Sequence, residues 1–150
     1  MQRVTHARVE IDGKVAGAIG AGLLVYAGFG RGDTDADRAW VLGKIVGLRI
    51  FTDESGKMAR SVADVGGSLL LVSQFTLYGD LRRGRRPSFD DAMLPAEAEA
   101  AYDALVREAR ASGLPVETGR FAADMKVSSL NDGPVTIWLD SATRGPPGAR

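Results

Sequence analysis

The segment Leu23-Leu24-Val25-Tyr26-Ala27-Gly28-Phe29 is almost continuously apolar and is bounded by Gly20-Ala21-Gly22 and Gly30-Arg31-Gly32. So short a run, closed off by glycines, suits a buried strand better than a surface one, which would alternate with polar residues. Its neighbours carry different signals. Arg3 to Ile11 alternates on Val4, Ala7, Val9 and Ile11, Asp12-Gly13 supplies a hairpin turn, and Val15 to Ile19 returns. Ser68 to Tyr78 is the strongest strand candidate in the chain.

Two helices interrupt the strands. Thr34 with Asp37 three residues on is a weak capping box, and Val41, Ile45 and Leu48 follow at helical spacing, so the first helix is expected over about Asp35 to Gly47. Pro95 at a start and Gly113 just past an end bracket Ala96 to Ser112, where Ala98, Tyr102, Leu105 and Ala109 mark one face. Arg49 to Phe51 reads as a short strand. Val116 to Phe121, Met125 to Leu130 and Val135 to Leu139 read as three closing strands. The fold expected is α+β: a mostly antiparallel β-sheet or barrel-like core with two main helices in one domain over residues 1–141. Residues 142–150, with Gly145-Pro146-Pro147-Gly148, are expected as a flexible, solvated C-terminal tail.

Composition narrows the chemistry. The 19 basic and 19 acidic residues cancel, so attraction to nucleic acid must come from a local patch. Without cysteine there is no disulfide, thiolate metal site or cysteine nucleophile. No segment reaches the roughly 18 apolar residues of a membrane span, and no signal peptide opens the chain, so a cytoplasmic protein with no membrane partner is the simplest reading. The single histidine, His6, sits in the first expected strand, a poor place for a catalytic triad. Acids are scattered over expected helix surfaces and turns, so neither a metal nor a cofactor is expected. Gly28-Phe29-Gly30-Arg31-Gly32 lacks the dinucleotide fingerprint and the lysine-serine ending of a P-loop, and reads as a plain turn.

Three polar clusters remain. In an extended Ser73-Gln74-Phe75-Thr76-Leu77-Tyr78, alternation places Gln74, Thr76 and Tyr78 on one side, either facing a pocket or forming the solvated side of a strand. Asn131-Asp132-Gly133-Pro134 is either a hairpin turn or an unusual backbone at which main chain approaches a ligand. Arg82-Arg83-Gly84-Arg85-Arg86 is a cationic loop suited to phosphates, or a solvated charge run offset by Asp80, Asp90 and Asp91.

Taken together, Gln2-Arg3-Val4, Gly22-Leu23-Leu24-Val25, Ser73 to Gly79, Arg86-Pro87-Ser88-Phe89, Gly119-Arg120-Phe121, Met125 and Asn131 to Thr136 occur in an order that resembles the D-aminoacyl-tRNA deacylases. The resemblance implies a homodimeric, cofactor-free hydrolase of the ester in D-aminoacyl-tRNA, acting also on glycine misattached to tRNA. It implies that a cis Gly133-Pro134 step enters the partner's site and excludes L-amino acids, with Arg3 bracing that loop. Ser73, Gln74, Phe75 and Thr76 would form the catalytic segment, the amides around Phe75 and Thr76 binding the carbonyl oxygen. The terminal ribose hydroxyl of the tRNA would assist hydrolysis, with a Thr76 nucleophile as the second option. Phe89 and Met125 would line the pocket, and Arg82, Arg83, Arg85 and Arg86 would contact tRNA. One departure is Ala122, where the family commonly has glycine. Two other classes compete, a nucleic-acid-binding module using the arginine loop without catalysis and a general esterase using Thr76.

Overall fold

The structure, a computed structural model, describes residues 1–145. Strands β1 (Gln2–Ile11) and β2 (Lys14–Ile19) form the expected hairpin, with Asp12 and Gly13 at φ 52° and 74° in the turn. Next come β3 (Gly22–Ala27), helix α1 (Asp35–Gly47) and the small β4 (Phe51–Thr52) and β5 (Met58–Arg60) ribbon. The chain continues through β6 (Ser68–Ser73), helix α2 (Pro95–Ala111), β7 (Val116–Thr118) and β8 (Lys126–Thr136). The main sheet runs β2-β1-β3-β6-β7, with β8 on the other edge of β1. It is nearly closed, because β2 comes back against β7: a Cβ placed on Gly17 would lie 2.5 Å from the Thr118 carbonyl oxygen.

Pairings of β1 with β2, β3 and β8, and of β4 with β5, are antiparallel, while β3–β6 and β6–β7 are parallel. Of the parallel strands, β3 and β6 are buried on both faces, as their continuous apolar sequences require. Leu23, Val25, Leu69 and Leu71 face the helices, packing with Ile45, Tyr102, Leu105 and Ala109. Leu24, Leu70 and Val72 face the barrel interior with Val4, Ala7, Val9 and Ile11. The inward residues of β1 skip from Val4 to Ala7 where its pairing with β8 slips between Val4 and His6, a bulge that turns the strand and resets its alternation.

Both helices lie close to their expected bounds. Thr34 donates its backbone N–H (2.9 Å) and its hydroxyl (2.6 Å) to Asp37, which fixes the start of α1. Arg38 grips Glu108 of α2 with Nη2 at 2.7 Å and Nε at 3.0 Å, locking the two helices together.

The strand expected over Ser68 to Tyr78 stops at Ser73, and Phe75–Tyr78 form a single 3-10 turn. The reason is loss of partners: Gln74 N–H to Ala27 O at 2.8 Å is the last rung toward β3, which itself ends at Ala27. Conversely, the two strands expected on either side of Asn131 are one strand, because β1 runs alongside both; the merged strand ends at Thr136, short of the expected Leu139, since β1 itself begins at Gln2. Val4 pairs with Asn131 and Gln2 with Thr136, so residues 132–135 stand opposite the single Arg3 and project as a bulge, not a hairpin turn. The strand expected over Val116 to Phe121 ends at Thr118. Where the tail is expected to begin, Ser141–Thr143 form one 3-10 turn and Arg144 pairs with Asp37 at 3.2 Å; residues 146–150 of the expected tail lie outside the described residues.

Tyr102 donates to the Leu71 carbonyl at 2.8 Å, and burial pushes its phenol up to about 12. Tyr78 is raised to a similar value by burial and the nearby Asp33. Both groups favour the neutral form when folded. Their contribution to stability is therefore complete below pH ~10 and is lost as pH rises through 12. We expect the tyrosinate absorbance of the folded protein to lag behind that of the denaturant-unfolded chain above pH ~10, with the thermal midpoint falling over the same interval.

Candidate active site

The parallel strands β3 and β6 end side by side, and their carboxyl ends open onto a cavity of about 570 Å³. Ser73, Gln74 and Phe75 form one wall, Phe89, Met93 and Leu94 a second, and Phe121 and Met125 a third. Phe75 and Phe89 meet edge to face, with ring centroids 5.0 Å apart, so the 3-10 turn and the segment after the arginine loop share an aromatic contact. The lining is mostly apolar. Among the described residues, neither the Phe75 nor the Thr76 N–H has a backbone acceptor, as expected of the first amides of a helical turn.

Of the sequence-derived residues, Ser73, Gln74, Phe75, Phe89 and Met125 converge on this cavity. Thr76 does not line it; its Oγ1 is engaged by the Gln74 side-chain amide. His6 is exposed on β1 and lines no part of it. Phe121, Met93, Leu94 and Arg31 also line the cavity. In sequence Phe121 stands out only as the end of the expected Val116 to Phe121 strand and in the Gly119-Arg120-Phe121 motif, and Met93 and Leu94 carry no signal of their own.

Gly133 and Pro134 lie elsewhere. They crown the β8 bulge, joined by a cis peptide, and both are exposed and away from their own chain's cavity. The base of the bulge is tied by Asn131, which accepts from the Val135 N–H at 3.1 Å and donates to Thr136 Oγ1 at 2.9 Å. Arg3, only 9% exposed, reaches it from β1: Nε donates to the Asp132 carbonyl at 3.1 Å and Nη1 to the Ile50 carbonyl at 2.6 Å. Gly133 has φ +126°, and a Cβ there would lie 3.1 Å from Arg3 Nη2, so the position admits no side chain without displacement.

The arginine loop is pinned at its base, where Asp80 and Ser88 exchange backbone hydrogen bonds of 2.8 and 3.0 Å. Asp80 also grips Arg82 through Nε and Nη2, which holds its carboxyl down at about 2. Arg82 is thus already partnered. Arg83, Arg85 and Arg86 project into solvent with no carboxylate partner among the described residues.

A nearly closed barrel whose cavity opens beside free main-chain amides could hold a developing oxyanion without an ionisable side chain, and comparison with known proteins makes the assignment particular. The model of the D-Tyr-tRNA(Tyr) deacylase family matches residues 1–140, and the chain belongs to that family. A D-aminoacyl-tRNA deacylase of Desulfitobacterium hafniense is 57% identical over 141 residues, covering 94% of this chain and 95% of that protein. One from Sorangium cellulosum is 58% identical over 142 residues, with the same coverage. Among solved structures, a c-Myc DNA unwinding element binding protein superposes with a TM-score of 0.87 at 40% identity, covering 93% of this chain and 95% of that one. A probable eukaryotic D-amino acid tRNA deacylase, at 20% identity and a TM-score of 0.73 over 89% and 92%, shares the fold.

Ala122 on the cavity wall has φ +60°, the left-handed region that glycine occupies without penalty. Ala122→Gly is expected to stabilise the protein by about 0.5–1 kcal/mol, the steric relief exceeding the entropy that glycine loses on folding. Denaturant unfolding of the two proteins measures it.

Proposed function

We propose that this protein hydrolyses the ester of D-aminoacyl-tRNA to free D-amino acid and tRNA, acts likewise on glycyl-tRNA, and rejects L-aminoacyl substrates across a homodimer interface. The observation that carries this reading is the pair of unpartnered amides at Phe75 and Thr76 beside an apolar cavity. Such amides stabilise a developing oxyanion without any ionisable side chain, and in this reading the Ser73 to Thr76 segment is the catalytic element. Chirality is decided by steric exclusion: a rigid main-chain corner clashes with the L side chain, while glycine presents none.

Gly133-Pro134 serves that purpose only from a second subunit, since it lies away from its own chain's cavity. The exposed apolar side chains Phe75, Leu130 and Trp138, at 59%, 50% and 66%, and the long outer edge of β8 favour a homodimer that covers them. Arg3 then acts as the brace of the filter. Phe89 and Met125 contact the bound aminoacyl end. A Thr76 nucleophile is disfavoured, because its hydroxyl accepts from the Gln74 amide and, among the described residues, hydrogen-bonds to no imidazole, amine or carboxylate. The ribose hydroxyl of the tRNA assists instead.

D-tyrosyl-tRNA should be deacylated far faster than L-tyrosyl-tRNA, and Thr76→Ala should keep turnover near the parental rate. Equal cleavage of both enantiomers would reject the chiral filter, and loss of turnover with intact tRNA binding would restore Thr76 as nucleophile. Release of labelled amino acid follows both.

Arg83, Arg85 and Arg86, together with the tethered Arg82, form the tRNA contact. Arg83→Glu with Arg85→Glu should weaken tRNA binding and flatten its dependence on salt by roughly one logarithmic unit for each phosphate that is no longer neutralised. Unchanged affinity and slope would place the tRNA contact elsewhere.

A further inference from the structure

The glycine run after β3 does more than turn the chain. Gly28 lies under the start of the 3-10 turn: a Cβ there would be 2.9 Å from the Gln74 carbonyl oxygen and 3.3 Å from Leu77 Cβ. Gly30 lies under its end, where a Cβ would sit 2.8 Å from Tyr78 Cε1 and from the Tyr78 hydroxyl. The tyrosine ring therefore rests directly on the Gly30 backbone, and its hydroxyl donates to Asp33 at 3.3 Å. The same Asp33 oxygen accepts the Gly30 N–H at 2.8 Å. One carboxylate thus holds both the seat and the ring seated on it.

The other side of the run is sewn to the opposite cavity wall. Arg31 N–H donates to the Asp91 carbonyl at 3.0 Å, and the Phe29 carbonyl accepts the Met93 N–H at 2.9 Å. Residues 28–33 therefore join the segment carrying Phe75 and Thr76 to the segment carrying Phe89 and Met93. We propose that this run is a clasp that sets the aim of the Phe75 and Thr76 amides, with Gly30, Tyr78 and Asp33 as positioning residues for hydrolysis. The proposal rests on the reading of those amides as the oxyanion site.

A four-residue turn has few internal hydrogen bonds, so its orientation is set by what it rests on. Displacing the ring at one end by even part of an ångström rotates the amides at the other. Misaim of that size costs turnover, because oxyanion donors act only over a narrow distance range. It leaves tRNA affinity alone, since the arginine loop is anchored separately by Asp80 and Ser88.

The test compares the parent with Gly30→Ala, Tyr78→Phe, Tyr78→Ala and the double variant Gly30→Ala/Tyr78→Ala in steady-state hydrolysis of D-tyrosyl-tRNA. Gly30→Ala should lower kcat about tenfold or more with KM within about twofold, and Tyr78→Phe should lower kcat in the same direction. Once the ring is gone the added methyl loses the three close contacts it would make with that ring, so the double variant should match Tyr78→Ala. Parental kcat in Gly30→Ala, or a double variant well below Tyr78→Ala, would overturn the clasp. If Gly30→Ala does not fold, Tyr78→Phe at parental kcat overturns it in its place. Backbone amide chemical shifts of Phe75 and Thr76 separate the clasp from the hydrolytic reading. They should move in all three single-site variants; unmoved shifts overturn the clasp, whereas moved shifts in a protein whose parent is inactive support the clasp and sink only the hydrolytic reading.

Discussion

The parallel register of β3 with β6, from Gly22 against Ser68 to Ala27 against Ser73, is the constraint from which the rest of the molecule follows. Two parallel strands in register must end together, and where they end the backbone has to leave the sheet twice at one place. One exit is the glycine run, the other the 3-10 turn. Their meeting point is the cavity, at the carboxyl end of a parallel pair, where open sheets tend to place their ligands. On the other side of β3, β1 carries the sheet on through antiparallel pairings with β2, β3 and β8. The apolar character of Leu69 to Val72 is what enforces the arrangement, because these residues need cover on both faces and obtain it from the helices on one side and the barrel interior on the other.

Chemistry at such a place leans on main chain. Strand ends and tight turns leave amides without partners, and the side chains around them are mostly apolar. This is consistent with a neutral chain that has one histidine, held out on β1. The charged groups have other work: Arg38 and Glu108 join the helices, Arg3 ties the bulge to Ile50, and Asp80 with Arg82 holds the basic loop.

Much of this was legible in the sequence. Both helices were marked by chemistry at their ends, Thr34 with Asp37 for one and Pro95 with Gly113 for the other, and the first hairpin by Asp12-Gly13. What misled was extent. Phe75-Thr76-Leu77-Tyr78 has the composition of a strand, but strands persist only as long as a neighbour runs beside them, and sequence does not reveal where β3 stops. Asn131-Asp132-Gly133 has the composition of a turn, yet β1 extends past it and draws both flanks into one strand. The role of Gly28 and Gly30 was hidden for a related reason: a glycine that accommodates a distant ring is identical, in sequence, to one that merely turns. The site residues nearest in sequence, Ser73 to Phe75, were the easiest to find, and Phe121 and Met93 the hardest, because only tertiary packing brings them in.

The pairing of β1 with β8 has a consequence for how the protein comes into being. β1 is read out first, yet along one edge it waits for residues 126–136, more than a hundred positions later. On the ribosome the nascent barrel therefore carries an open seam for nearly the whole of translation, and Arg3 has no Asp132 carbonyl to hold. Closing the seam and shaping the Gly-Pro corner are one event. A chain that stops short of residue 131 consequently lacks the Gly133-Pro134 corner and leaves Arg3 without the Asp132 carbonyl, so the two features are gained together at the end of synthesis.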